Sequence, residues 1–180
     1  MTEYGKPRFP VWAGIDVDTK SVAFAVVGDN DELWCCRSYV LPSKKQKEPL
    51  HIRIRMLMAY LEDFAVSFKS YDVHQKLNLV WCGVEQPVGH IFSAVMVALA
   101  AGAAAQVVSN VLGVDYQFFY PQAGKTAITG EGRPDKESVV KMANMRWEGL
   151  ENDHEAHAIG MALAMRKECK EQELAQRVSL

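Results

Sequence analysis

The chain has 180 residues, 49% of them hydrophobic, enough to bury one sizeable core, so a single domain is the expected count. Its 20 basic and 22 acidic residues give a formal charge of -2, which excludes nucleic-acid binding through a global basic excess and leaves only local positive clusters for that task. Cys35, Cys36, Cys82 and Cys169 show no CxxC or other ligand-like spacing, and the opening MTEYGKPRFP has no apolar signal core. A reducing cytoplasm is therefore the expected setting, and secretion is not.

In chain order, VWAGIDV (11–17), SVAFAVVG (21–28) and ELWCCRSYVL (32–41) are β-branched or aromatic runs parted by short polar turns, and they predict an antiparallel meander. On the third run Cys35 and Cys36, as strand neighbours, point to opposite faces. The charged PSKKQKEP then punctuates the chain; Lys44, Lys45 and Lys47 read there as a solvated loop. LHIRIRMLMAYLEDFAVSFKS places Ile54, Leu57, Leu61, Phe64 and Phe68 at helical spacing, and LNLVWCGVEQP returns to strand. Residues 91–114 are long and apolar enough to cross a bilayer. Ala dominates them, however, and Ser93, Gln106, Ser109 and Asn110 interrupt them, so they predict a buried helix and no membrane partner. Small residues at Ala98, Ala101, Gly102 and Ala105 would let a sheet face or a partner helix come close. YQFFYP predicts a short strand and GKTAITGEGRPDKES a polar loop, and helices over 137–147 and 153–171 close the chain. The core is expected within 11–166, with 167–180 a charged helix end; there is no internal repeat.

The acids fall in awkward places. Asp16 lies inside an apolar strand and Glu85 at the end of another, where an unpaired carboxylate is costly to bury. Either alone reads as a strand-end carboxylate that caps a turn or meets a lysine. A third segment, NDHEAHAIGMALA, opens an otherwise apolar helix with two acids and two histidines. Asn152 and Asp153 suit a helix cap and Glu155 suits the positive end of the dipole, but neither role explains His154 and His157. Carboxylates brought together repel unless a cation lies between them, and two hard divalent ions are the usual answer. Three distant segments, each delivering a metal-type ligand at the end of a core element, predict one site. Within the last of them, Asp153 and His157 are four apart and share nearly one helix face.

The order and spacing of GIDVDTKSVAFAVV, GVEQP with its long small-residue helix, GKTAITGEGRPDKESV and HEAHAIGMALA resemble RuvC-type Holliday junction resolvases, from residue 11 to about 166. Sugar kinases and actin-like ATPases share the first motif, but they need two such domains and a second phosphate loop, for which this chain is too short. The resemblance implies an α/β, ribonuclease H-like fold with a central mixed five-stranded sheet flanked by helices. It implies a metal-dependent endonuclease that places symmetric nicks in four-way DNA junctions, working as a homodimer with Mg²⁺ or Mn²⁺, two ions per site. Asp16 then matches the first metal ligand and Glu85 the second acid. The family's last helix adds two ligands three residues apart, usually both Asp, and these positions hold His154 and His157. Histidine at the first is a variation within the family; at the second it is a departure, for which Asp153 is the alternative carboxylate. That departure also motivates a second reading, a non-catalytic junction-binding protein with a degenerate metal site.

Lys125 and Lys136 match two family lysines that contact the DNA backbone or assist at the scissile phosphate, with Gly130 and Gly132 as the intervening glycines. Arg133 joins them in a local positive cluster. The expected catalytic set is Asp16, Glu85, His154, His157 and Lys125; the expected metal set is Asp16, Glu85, Asp153, His154 and His157. In the family an aromatic just after the second acid wedges into the junction centre. That position lies nearer Val88 here, and His90 or Phe92 are the candidate substitutes. The Ala-rich helix after Glu85 is the candidate for part of the dimer interface.

Overall fold

A run of apolar residues with no polar alternation can be satisfied only by cover on both faces, and the first two strands meet that demand at the centre of the sheet. The computed structural model describes residues 9–75, 77–88 and 91–179, with the backbone alone for 72–75 and 91–93. Strand β1 (Phe9–Val17) is buried without a break from Val11, and β2 (Ser21–Gly28) is buried throughout. Strand β3 (Leu33–Val40) is half-exposed and lies at the edge. Helix α1 (Leu50–Gln75), β4 (Leu77–Glu85), α2 (Ile91–Leu112) and β5 (Tyr116–Phe119) follow. Three further helices, α3 (Pro121–Thr129), α4 (Lys136–Arg146) and α5 (Asp153–Val178), close the described chain. The sheet has five strands in the order β3-β2-β1-β4-β5. β1, β2 and β3 pair antiparallel, while β1 with β4 and β4 with β5 pair parallel, so the sheet is mixed, as expected.

Parallel neighbours require crossovers, and the crossover helices supply the layers. On one face Leu57, Leu61 and Phe68 of α1 and Ala101, Ala105 and Val108 of α2 pack on Val11, Ile15 and Phe24. On the other, Ala158, Ile159 and Ala162 of α5, with Ile128 of α3 and Ala143 of α4, pack on Ala23, Ala25 and Val27. Cys35 joins the first core and Cys36 the second, as strand alternation requires. Of the small residues in α2, Ala101 and Ala105 meet the sheet, whereas Ala98 and Gly102 face outward. Only 28% of the apolar window Ala94–Leu112 is buried, so this helix is one layer of the fold with an open apolar flank.

Helix α5 lies unusually close to the sheet because the strands beneath it lack side chains at the crossing. A Cβ on Gly14 would fall onto the carbonyl of Ala158, and one on Gly83 would sit 2.5 Å from the carbonyl oxygen of Met161. Gly124 and Gly160 do the same for the contact of α3 with α5.

Three boundaries differ from the sequence reading. Residues 124–129, expected as loop, lie in α3, which starts already at Pro121, expected as the strand end. Gly124 and the β-branched Thr126, Ile128 and Thr129 are weak helix formers, so the local signal favours loop; the helix forms because Gly124 and Ile128 are buried in tertiary contacts. Pro121 starts it, and Gly130, at φ 75°, ends it in the left-handed conformation that glycine adopts without strain. Helix α1 runs to Gln75, and α5 continues past 171 to Val178 through the charged helix end, since good helix formers extend it into solvent.

Candidate metal centre

Strand register brings the two acids together. Ile15 pairs with Val84 across the parallel β1–β4 ladder, so Asp16 and Glu85 follow side by side at the same end of the sheet. Ile15, Val17 and Val84 point into the core beneath α1 and α2. By alternation Asp16 and Glu85 point to the opposite face, where α5 begins.

The start of α5 is tethered there by its own polar residues. Asn152 is the N-cap, its Oδ1 accepting from the Glu155 amide at 3.2 Å, and Glu155 Oε2 accepts from the Glu151 amide at 2.7 Å. The second oxygen of Glu155 accepts from Ser38 Oγ at 2.8 Å, and Asn152 Nδ2 donates to that hydroxyl at 2.7 Å. Glu155 is only 4% exposed, and this network ties the helix start to the edge strand. In sequence Glu155 suits only a dipole partner, and its bond to β3 is not legible there, because Ser38 lies 117 positions away.

His154 and His157, one turn apart, are thereby set over Asp16. His154 Nδ1 lies 2.7 Å from Asp16 Oδ2, and its Nε2 lies 2.9 Å from the hydroxyl of Ser21, the first residue of β2. His157 Nδ1 stands 3.9 Å from Asp16 Oδ2 and 3.8 Å from Glu85 Oε2. One ligand atom from each of Asp16, Glu85 and His157 falls within 4.8 Å of the others. Ser21 was not singled out from sequence; a buried serine after a turn carries no signal until the hairpin register is known.

The electrostatics divide these groups. Burial, and then the neighbouring Asp16 carboxylate, push Glu85 up from 4.5 to about 8, although Lys125 and His154 pull the other way. The hydrogen bond to Asp16 raises the pKa of His154 against the effect of its burial. Burial lowers that of His157, opposed by Asp16 and Asp153 and assisted by Lys125 and Lys136. His157 is thus biased to the neutral imidazole that can donate a lone pair to a metal. Burial would raise Asp153, but the Lys136 ammonium bonded to it and nearby His154 hold it below the ordinary value.

The expected site residues are therefore sorted by position. Asp16, Glu85, His154 and His157 converge, and Asp153 turns to an ion pair with Lys136 at the start of α4. Lys125 projects from α3 rather than from a loop, close enough to act on both Glu85 and His157. Arg133 is exposed in the connector before α4, where Asp135 caps the helix by accepting from the Ser138 amide at 2.7 Å. Val88 is 61% exposed. His90 lies outside the described residues, as does the side chain of Phe92.

This donor set fits a divalent cation. His157 Nε2 is buried without a hydrogen-bond partner, and two carboxylates face each other at an apolar strand end with no arginine or lysine bonded to either among the described residues. Hard oxygen ligands with one or two imidazoles suit Mg²⁺ or, better, Mn²⁺.

Fold and cluster together define a ribonuclease H-like α/β domain with carboxylate and histidine side chains gathered at the ends of β1 and β4. A scan against protein-family models and a search of curated proteins return no match. Among solved structures, the chain superposes on Thermus thermophilus RuvC with a TM-score of 0.67 at 22% identity, covering 90% of this chain and 96% of that one. It also matches T. thermophilus RuvC in complex with Holliday junction substrate, with a TM-score of 0.63 at 21% identity, over 86% of this chain and 91% of that one. At these identities the likeness establishes the shared fold.

Proposed function

We propose that the chain is a metal-dependent endonuclease that resolves four-way DNA junctions. The observation that carries this reading is the convergence of Asp16, Glu85 and His157 within 4.8 Å, on a fold shared with a RuvC that has been seen with a Holliday junction substrate. Asp16, Glu85 and His157 would hold the metal, with His154, bonded through both ring nitrogens, joining them only by releasing Asp16 or Ser21, and Asp153 in reserve on the same helix face. Two Mg²⁺ or Mn²⁺ ions, when bound, supply the charge that activates a water and stabilises the leaving 3′ oxygen.

The chain's own groups do the rest. Asp16 and Ser21 clamp His154 from both ring nitrogens, fixing its orientation. Lys125, beside Glu85, can meet a phosphate oxygen as the cut strand enters, and Arg133 and Lys136 extend that positive edge along the backbone. The outward face of α2, with Val95 and Leu99 more than half exposed, is the surface on which a second copy would dock. Such a dimer would present two centres to a two-fold symmetric junction and give paired nicks.

The test is incubation of a synthetic four-way junction with the protein in Mg²⁺ and in Mn²⁺, with each strand mapped separately. Wild type should nick two opposed strands at symmetric positions. Asp16→Asn should bind the junction and leave it uncut. The second reading, a junction-binding protein without catalysis, is motivated by His157 at the position where an acid is usual. Binding without nicking by wild type in both metals would select it.

A further inference from the structure

A second positive surface lies at the same end of the sheet, on the face opposite Lys125 and Lys136. Between residues 42 and 55 the chain places five of its 20 lysines and arginines, Lys44, Lys45, Lys47, Arg53 and Arg55, together with His51, against one of its 22 acids, Glu48. In a protein of net charge -2 this is a strong local excess. Internal pairing does not consume it: among the described residues the one ion pair in the segment joins Lys45 to Glu48 at 3.7 Å, and both are well exposed. Lys44, Lys47, His51 and Arg55 are also exposed.

The segment is held against the metal centre by hydrogen bonds. The Leu41 amide donates to the Lys20 carbonyl at 2.8 Å, and Gln46 Nε2 donates to the Leu41 carbonyl at 2.7 Å. Arg53 Nη1 donates to the Thr19 carbonyl at 3.0 Å and approaches the Thr19 hydroxyl at 3.3 Å. Thr19 and Lys20 belong to the turn joining β1 to β2, between Asp16 and the Ser21 that holds His154. Helix α5 reaches this end of the sheet from one face and α1 from the other, so the centre is bordered by positive charge on both sides.

We propose that Lys44, Lys45, Lys47 and Arg55 form a second phosphate-binding surface, which takes a duplex arm across the metal centre from the one met by Lys125 and Lys136. This rests on the nuclease reading above. An anionic membrane would also attract the charge, but a membrane-binding helix needs an apolar face to insert. The apolar face of α1, with Leu57, Leu61 and Phe68, is buried in the core. Polynucleotide phosphate, which needs charge alone, is the better match.

The experiment uses the full chain carrying Lys44→Ala, Lys45→Ala, Lys47→Ala and Arg55→Ala together; Arg53 is kept because it secures the β1–β2 turn. Unchanged circular dichroism and melting temperature establish that the variant folds. Binding of a fluorescent four-way junction is measured in EDTA, so that no cleavage intervenes, across a salt series. The proposal expects affinity to fall about tenfold or more, and the slope of log affinity against log salt to shrink by about two to four units, near one per lost phosphate contact. Wild-type affinity and slope in the variant would overturn it, as would a loss confined to phosphatidylserine vesicles. Cleavage by wild type in Mn²⁺ is followed in parallel. If wild type cuts the junction and the variant keeps full affinity, only this surface is refuted; if wild type neither binds nor cuts, the nuclease reading falls with it.

Discussion

Glu85→Gln should stabilise the metal-free protein at neutral and alkaline pH while destroying its metal site. Glu85 is largely buried at the end of β4, next to Asp16, and these surroundings raise its pKa from 4.5 to about 8. In the unfolded chain the carboxyl loses its proton near 4.5; in the folded, metal-free chain it keeps it to about 8. Between those values the unfolded state binds fewer protons, so stability present below 4.5 is lost progressively as pH rises to about 8. One pH unit is worth about 1.4 kcal/mol, so by pH 7, about 2.5 units above 4.5, Glu85 costs about 3–4 kcal/mol. Glutamine does not titrate and escapes that cost. At this chain length the difference corresponds to about 7–14 °C in melting temperature. The assay is thermal unfolding of both proteins in EDTA at pH 4.5, 6 and 7.5, repeated with Mn²⁺. The variant should melt higher at pH 7.5, the two should converge at pH 4.5, and Mn²⁺ should raise wild type alone. A variant less stable than wild type in EDTA at pH 7.5 would mean that Glu85 is held ionised by favourable partners, and the frustrated-acid account of the centre would be refuted.

His157→Asp, which introduces the acid usual in RuvC-type resolvases, should on the proposed reading retain cleavage, narrow the advantage of Mn²⁺ over Mg²⁺ and extend activity to lower pH. The reason is that imidazole binds metal only when neutral, whereas aspartate stays charged. Because burial lowers its pKa, wild type should hold its activity below the ordinary imidazole value of 6.5 and lose it as pH falls further, a point read from rate against pH in each metal. Lys125→Ala and Lys136→Ala should each weaken junction binding or slow cleavage, with a lost contact seen as a salt slope smaller by about one unit; unchanged slope and rate in both would reduce them to surface lysines. Gly14→Ala should lower stability by about 1–3 kcal/mol, because its Cβ meets the backbone of α5 rather than a side chain that can turn aside. Lifted α5 should also weaken Mn²⁺ binding, measured by calorimetry, whereas an equal core truncation distant from α5 should not.

The element order, three strands, helix, strand, helix, strand and closing helices, was legible in the chain because each element carries its own period of apolar residues. Asp16, Glu85 and the DHEAH stretch were legible as oddities for a related reason: charged or imidazole groups at the ends of buried elements stand out against the pattern around them. Tertiary structure alone decided what those oddities do to one another. The β1–β4 register puts Asp16 beside Glu85 and on the α5 face, and pairing register is a property of two strands that neither encodes by itself. Asp153 and His157 share a helix face, so periodicity could not choose between them. In the fold Lys136 draws Asp153 into an ion pair, and His157 faces the acids. Helix α3 was invisible for the converse reason, since its residues are weak helix formers and its stability comes from Gly124 lying against Gly160. Ser21 and Glu155 stayed hidden as well, because a buried hydroxyl or acid acquires its role only from the partner that folding brings to it across more than a hundred residues.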